Sequence, residues 1–181
     1  MLDHDLPGML AQVRRLRRRF AETAPARWDA TTAAAELTVQ LGHASLCLLR
    51  RRNTDVGGFE DAARPIDNVG DELADVVLAA LSVCVLADAE PATAAAAPPD
   101  DLDDLFFLLV VSAGRLAEAA MVSSGHRHLH TGRAPSVPDA AAQLLGICGA
   151  IAIQVGVDLP REFAVMVADA DGFLDAQGVR P

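Results

Sequence analysis

Glu72 and Asp75 stand three residues apart in Gly-Asp-Glu-Leu-Ala-Asp, at the head of an apolar run that continues to Asp88. Around them Val69, Leu73, Val76, Val77, Ala80, Leu81 and Cys84 recur at steps of three and four, the period of one α-helical face. Two carboxylates one turn apart on such a helix can point the same way and bind one hard cation through oxygen, provided other segments supply the remaining ligands. The nearest source is the preceding segment, where Glu36, Gln40 and His43 fall at i, i+4 and i+7 and share a face. Glu36 can reach inward beside Gln40. His43 with two carboxylates would suit a softer metal such as Mn²⁺, Fe²⁺ or Zn²⁺, or can serve as a hydrogen-bonded histidine between helices. A second cluster, His126-Arg127-His128-Leu129-His130, alternates three imidazoles on a loop, a pattern that in principle grips a transition metal.

Six helices are predicted to position these groups. The first, about Leu6 to Glu22, carries Leu10, Val13, Leu16 and Phe20 on one side, while Arg14, Arg15, Arg17, Arg18 and Arg19 read as a solvated face. After Ala-Pro-Ala, Asp29 or Thr31 caps a second helix that runs to about Arg52 with a core stripe of Leu37, Leu41, Ala44 and Leu48. The Asn53–Asn68 loop, with Gly57-Gly58 and Pro65, reads as mobile and exposed. Asp67 or Asn68 caps the Glu72 helix, which Pro91 stops. Residues 91–101, with Ala-Ala-Ala-Ala-Pro-Pro inside them, read as a linker. A fourth helix spans about Leu102 to Ser124 and ends at Gly125; a fifth starts at Ser136 and Pro138 and runs to Gly156; a sixth follows Asp158 and Pro160.

Leu41-Gly42-His43-Ala44 and Ala113-Gly114-Arg115-Leu116 occupy similar places within long helices, each followed by a Gly- or Pro-bearing loop and an Asp-led apolar helix. The halves 30–90 and 102–158 therefore read as diverged copies that pack into a pseudo-two-fold helical bundle. The organisation expected is residues 1–90 for the first helix and first copy, 91–101 for the linker, and 102–181 for the second copy and last helix.

Composition bounds the partners. The chain has 181 residues, 51% of them hydrophobic, with six Phe, one Trp and no Tyr, a balance that favours closely packed helices. Its formal charge of −10, with arginine as its only strong base, argues against general nucleic-acid binding. Cys47, Cys84 and Cys148 each lie in an apolar helical run without Cys-x-x-Cys spacing, as buried free thiols of a cytoplasmic protein would. Met-Leu-Asp-His-Asp lacks the pattern of a secretory signal. Residues 140–157 carry no charge, but Gln143, Gln154 and three glycines favour a buried helix over a membrane span.

Several of these pieces together resemble the MazG-like, all-α nucleoside triphosphate pyrophosphohydrolases, the superfamily that includes dimeric dUTPases and dCTP pyrophosphatases. They are Phe20-Ala21-Glu22 leading to Arg27-Trp28, Leu41-Gly42-His43, Glu72-Leu73-Ala74-Asp75-Val76, Ala113 to Ala119, and Val155 to Leu159. In that family a Glu-x-x-Glu pair and a Glu-x-x-Asp pair on successive helices hold Mg²⁺ against the substrate phosphates. The resemblance implies that Glu72 and Asp75 are the second pair, intact and catalytic. It puts the first pair on Gln40 and His43, and the second copy's equivalents on Ser112, Arg115, Asp139 and Ala142, where the site is lost. It also puts Trp28 beside the nucleotide base, where stacking is one use for the single Trp and core packing the other.

Replacing two carboxylates by an amide and an imidazole removes two negative charges from a divalent-cation site. The phosphate-holding cations that the family places after its last helix are missing too, since Val165 to Ala176 contains no basic residue. Three functions are consistent with this pattern. One is a divergent and weak pyrophosphohydrolase that converts a nucleoside triphosphate to the monophosphate and pyrophosphate with Mg²⁺ or Mn²⁺. Another is a non-catalytic scaffold of the same fold that binds a nucleotide or a protein partner. The third is a metalloprotein of different chemistry built on His43, Glu72 and Asp75. A nucleotide is the expected ligand, with no nucleic acid or membrane partner, and a homodimer is allowed for.

Overall fold

In the computed structural model, residues 5–63, 65–93, 98–128 and 135–179 are described. They form six α-helices in chain order: α1 Leu6–Thr23, α2 Ala30–Arg51, α3 Val69–Leu86, α4 Leu102–Ser123, α5 Val137–Val155 and α6 Leu159–Ala176. No strand occurs among the described residues, in agreement with the all-α expectation.

Each boundary has a local cause. Asp29 caps α2 by accepting from Thr32 N at 2.8 Å, and Asn68 caps α3 by accepting from Gly70 N at 3.0 Å. Asp101, Ser136 and Asp158 do the same for α4, α5 and α6. Gly125 and Gly156, with φ of +73° and +74°, end α4 and α5 in the left-handed region that glycine adopts at little cost. Pro91 is not what stops α3. The helix ends at Leu86 and the chain turns at Asp88, whose φ is +51°.

α3 is the axis of the molecule, because it packs against all five other helices. The stripe read from the sequence is buried, and so are Ala74, Ala79, Ser82 and Val83 on its other sides. A helix packed by neighbours on most of its sides has almost no solvated face to reveal its period, which accounts for the nearly continuous apolar sequence after Asp75. One core cluster draws on all six helices, so the 1–90 and 102–181 parts share a single interior. The uncharged run in α5 is part of it, with Leu144, Cys148 and Ile151 fully buried. All three cysteines are free and buried, and burial pushes their thiols up, to about 11 for Cys47 and about 12 for Cys84 and Cys148.

The closest packing forms two helical hairpins, α2 with α3 and α4 with α5, joined by contacts of α2 with α4 and of α3 with α5. Exchanging the hairpins would leave that pattern of contacts unchanged. α1 and α6 lie outside these two hairpins and pack on α3 and on each other.

The loop after α2 is exposed over most of its described residues, as expected, while Val56 is buried, Arg50 pairs with Glu60 and Glu60 accepts from Ile66 N at 3.1 Å. One expectation about charged segments is corrected. The α1 arginines are not simply a solvated face. Arg15 forks onto Asp171 of α6 at 2.5 and 2.6 Å, and the buried Arg19 binds Asp171, Asp175 and the Val179 carbonyl. These pairs lock the first helix to the last, and only Arg14 and Arg18 of the five are exposed.

Candidate functional site

The α2–α3 hairpin brings the sequence candidates together in pairs. Cys47 and Arg50 of α2 reach Ile66, which precedes α3, and one turn further on His43 reaches Glu72. As α3 climbs from Glu72 to Asp75, α2 descends from His43 through Gln40 to Glu36, the register of two antiparallel helices. His43 Nδ1 lies 3.4 Å from Glu72 Oε2, and Gln40 Nε2 donates to Glu36 Oε1 at 2.8 Å. His43 of α2 therefore lies against Glu72 of α3.

A cleft of about 980 Å³ opens beside this register. Glu36, Gln40 and Asp75 line it; Glu72 and His43 do not. The division follows from helix geometry, since residues 72 and 75 are three apart and diverge by about 60° around the axis. Asp71 is four residues before Asp75, diverges by about 40°, and does line the cleft. From α6 come Met166, Asp169 and Phe173, which nothing in the sequence reading had placed there.

The cleft is also aromatic and cationic in part. Phe20, Arg27 and Trp28 line it, and the Arg17 guanidinium lies 4.8 Å from the centre of the Phe20 ring and 4.9 Å from that of Trp28. Trp28 is half-buried and lies outside the core cluster. The cations that line the cleft, Arg17 and Arg27, come from α1 and the turn after it. Arg17 was legible in principle: it stands three residues before Phe20 and eleven before Trp28, on the side of α1 that turns toward both.

Electrostatics single out the floor of the cleft. Burial, and then the charges of Asp71, Glu72 and Glu36, push the Asp75 carboxyl up to about 7. Asp71 is also raised, by burial and then by Asp169 and Glu162. Burial pulls the Arg17 guanidinium below its usual value, and the charge of Glu36 partly offsets this. Gln40 Oε1 is buried without a hydrogen-bond partner, an acceptor oxygen still to be satisfied.

Carboxylate oxygens and an unsatisfied amide oxygen are the donors a hard dication takes, so Mg²⁺ or Mn²⁺ fits Glu36, Gln40 and Asp75 by donor type. The side chains are not closed around one point. Among the described residues no three of His, Cys, Asp or Glu stand in metal-holding geometry, and this includes the His43, Glu72 and Asp75 set. On the histidine loop His126 and His128 are exposed, His126 Nδ1 lies 3.5 Å from Thr31 Oγ1, and His130 lies outside the described residues. Of the places expected for a second copy, Ser112 and Ala142 are buried, Arg115 is exposed, and Asp139 is engaged with Ser136 at the start of α5. No family model, curated protein or solved structure matches this chain, so the reading of the cleft rests on its own residues and their geometry.

Proposed function

We propose that the cleft between α1, α2, α3 and α6 binds a nucleoside triphosphate with a divalent cation, and that the protein is a MazG-like pyrophosphohydrolase weakened in its first ligand pair. The observation that carries this reading is that one cleft is lined both by carboxylates, Glu36, Asp71 and Asp75, and by a tryptophan and two arginines, Trp28, Arg17 and Arg27. Carboxylates alone would suit any cation. An aromatic face with guanidinium groups adds a surface for a base and its phosphates.

In this reading Trp28 orients the base, and Arg17 and Arg27 hold phosphate oxygens. Burial and the charges of Asp71, Glu72 and Glu36 hold the cation-free Asp75 carboxyl well above its ordinary range, and a divalent cation bound there would relieve that crowding. A cation held by Glu36, Gln40 and Asp75 would supply the charge that neutralises the phosphates. Water adds to phosphorus, the bond to the leaving pyrophosphate breaks, and the monophosphate is released. The buried free thiols accord with a cytoplasmic setting.

A non-catalytic nucleotide-binding scaffold is the second reading, favoured by one contact. Glu72, the first carboxylate of the intact motif, faces His43 instead of the cleft. Turnover separates the two. With millimolar Mg²⁺ the protein is expected to release little or no pyrophosphate from common nucleoside triphosphates, and more with Mn²⁺. The change Gln40→Glu adds a carboxylate to the proposed cation ligands and is expected to tighten Mg²⁺ binding at least about tenfold, equivalent to about 1.4 kcal/mol. If that variant binds Mg²⁺ more tightly and still releases no pyrophosphate, the scaffold reading holds. Robust Mg²⁺-dependent release by the unaltered protein, abolished by Asp75→Ala, would show that Gln40 and His43 are no handicap.

A further inference from the structure

α4 and α5 are the two described helices long and apolar enough to cross a membrane, yet α4 is much the less covered: 39% of its most apolar stretch is buried, against 56% for α5. Its bare side is a continuous stripe. Phe107, Val110 and Val111 are 66%, 42% and 54% exposed, and Gly114 has open space where a side chain would stand. Positions 107, 110, 111 and 114 follow the i, i+3, i+4, i+7 pattern that puts them on one face. Contiguous exposed apolar surface of this kind marks an interaction site.

The charges beside the stripe identify what covers it. Asp104 precedes the apolar residues and Arg115 follows them; both are exposed, and neither has an ion-pair partner among the described residues. Eleven residues apart, they fall about 20° from each other around the helix, on the same flank of the stripe. A two-fold axis perpendicular to two antiparallel helices brings like flanks together. Asp104 of one copy then comes level with Arg115 of the other, and the pairing occurs twice. In the same register Phe107 lies over the Val111 and Gly114 region of the second copy, where the missing side chain leaves room for its ring. A parallel arrangement about an axis along the helices would put the Asp104 and Arg115 flanks of the two copies on opposite sides of the contact and leave these charges unpaired.

We propose that this face of α4 binds a second copy of the chain, antiparallel about a two-fold axis. Sedimentation of the full chain over a micromolar concentration series tests it, with circular dichroism to verify that each variant is folded. The wild type is expected to be dimeric and Val111→Glu monomeric. Asp104→Arg and Arg115→Asp each place like charges across the axis, so each is expected to weaken its own dimer by about tenfold or more. Mixed in equal amounts, these two variants are expected to regain dimer, because each chain then meets the opposite charges on the other. A wild type that is monomeric throughout would overturn the proposal, as would a dimer unaffected by both reversals or a monomer that partitions onto phospholipid vesicles through α4.

Discussion

Arg19→Met is expected to lower the free energy of unfolding by about 3 kcal/mol, the scale of breaking a buried ion pair from one side. Arg19 is 3% exposed, and its guanidinium binds two carboxylates and the Val179 carbonyl. Methionine keeps much of the stem's packing and removes every one of those bonds, which leaves the carbonyl and Asp171 short of a donor in a half-buried place. The loss stays near the lower end of the range because Arg15 still holds Asp171, and because Asp175, 62% exposed, can turn to water. Arg15→Met, at a more exposed position, is expected to cost about 1 kcal/mol, and Arg18→Met almost nothing. Denaturant unfolding of the three variants checks the order. Equal effects for Arg18 and Arg19 would mean that α1 is not held to α6 by these pairs.

Asp75→Asn is expected to stabilise the protein at pH 8, and by somewhat less than half as much at pH 5. The folded carboxyl titrates at about 7, above its ordinary value of 3.8, so between those values the native state binds more protons than the unfolded chain. Stability therefore falls as pH rises through that window, and the penalty is complete above it. The amide carries no charge and escapes the penalty. The gain at pH 8 is expected to be roughly 2 kcal/mol, about half of what the full displacement would imply, since the cleft is open to water. Thermal unfolding at the two pH values measures it. A wild type whose stability does not decline from pH 5 to pH 8, with no advantage for Asp75→Asn, would show that Asp75 is well solvated and does not sit among the carboxylates of the cleft.

The sequence made some parts of this molecule legible and hid others for physical reasons. Helix ends were readable because caps are local: Asp29, Asn68, Ser136 and Asp158 act on backbone amides two or three residues ahead. The role of the α1 arginines was not readable, because the carboxylate Arg19 meets in Asp175 lies 156 positions away. A charge run beside a core stripe looks the same whether water or another helix faces it.

At the site, helical spacing rightly joined Glu36 with Gln40 and placed α2 against α3. It did not separate Glu72 from Asp75. Three residues of α-helix rotate a side chain by about 60°, enough to send one toward His43 and the other into the cleft. Asp71 at i−4 shares the face of Asp75 more closely, and could have been found by that spacing. Asp169, Met166 and Phe173 could not, because their presence depends on how α6 crosses α3. One sequence feature hints at that crossing. A side-chain carbon on Gly70 would come within 2.8 Å of Glu162 Cγ, so glycine at the start of α3 lets α6 approach.

The central claim is that this cleft takes a nucleotide together with a divalent cation at Asp75. Trp28, the only tryptophan in a chain without tyrosine, lines the cleft and reports on it directly. The decisive measurement is Trp28 fluorescence during titration with a non-hydrolysable nucleoside triphosphate analogue, with and without Mn²⁺, on the wild type and on Asp75→Ala. The account predicts a saturable change that needs the cation and is lost in Asp75→Ala. No change under any cation, or the same saturation curve in both proteins, would contradict it.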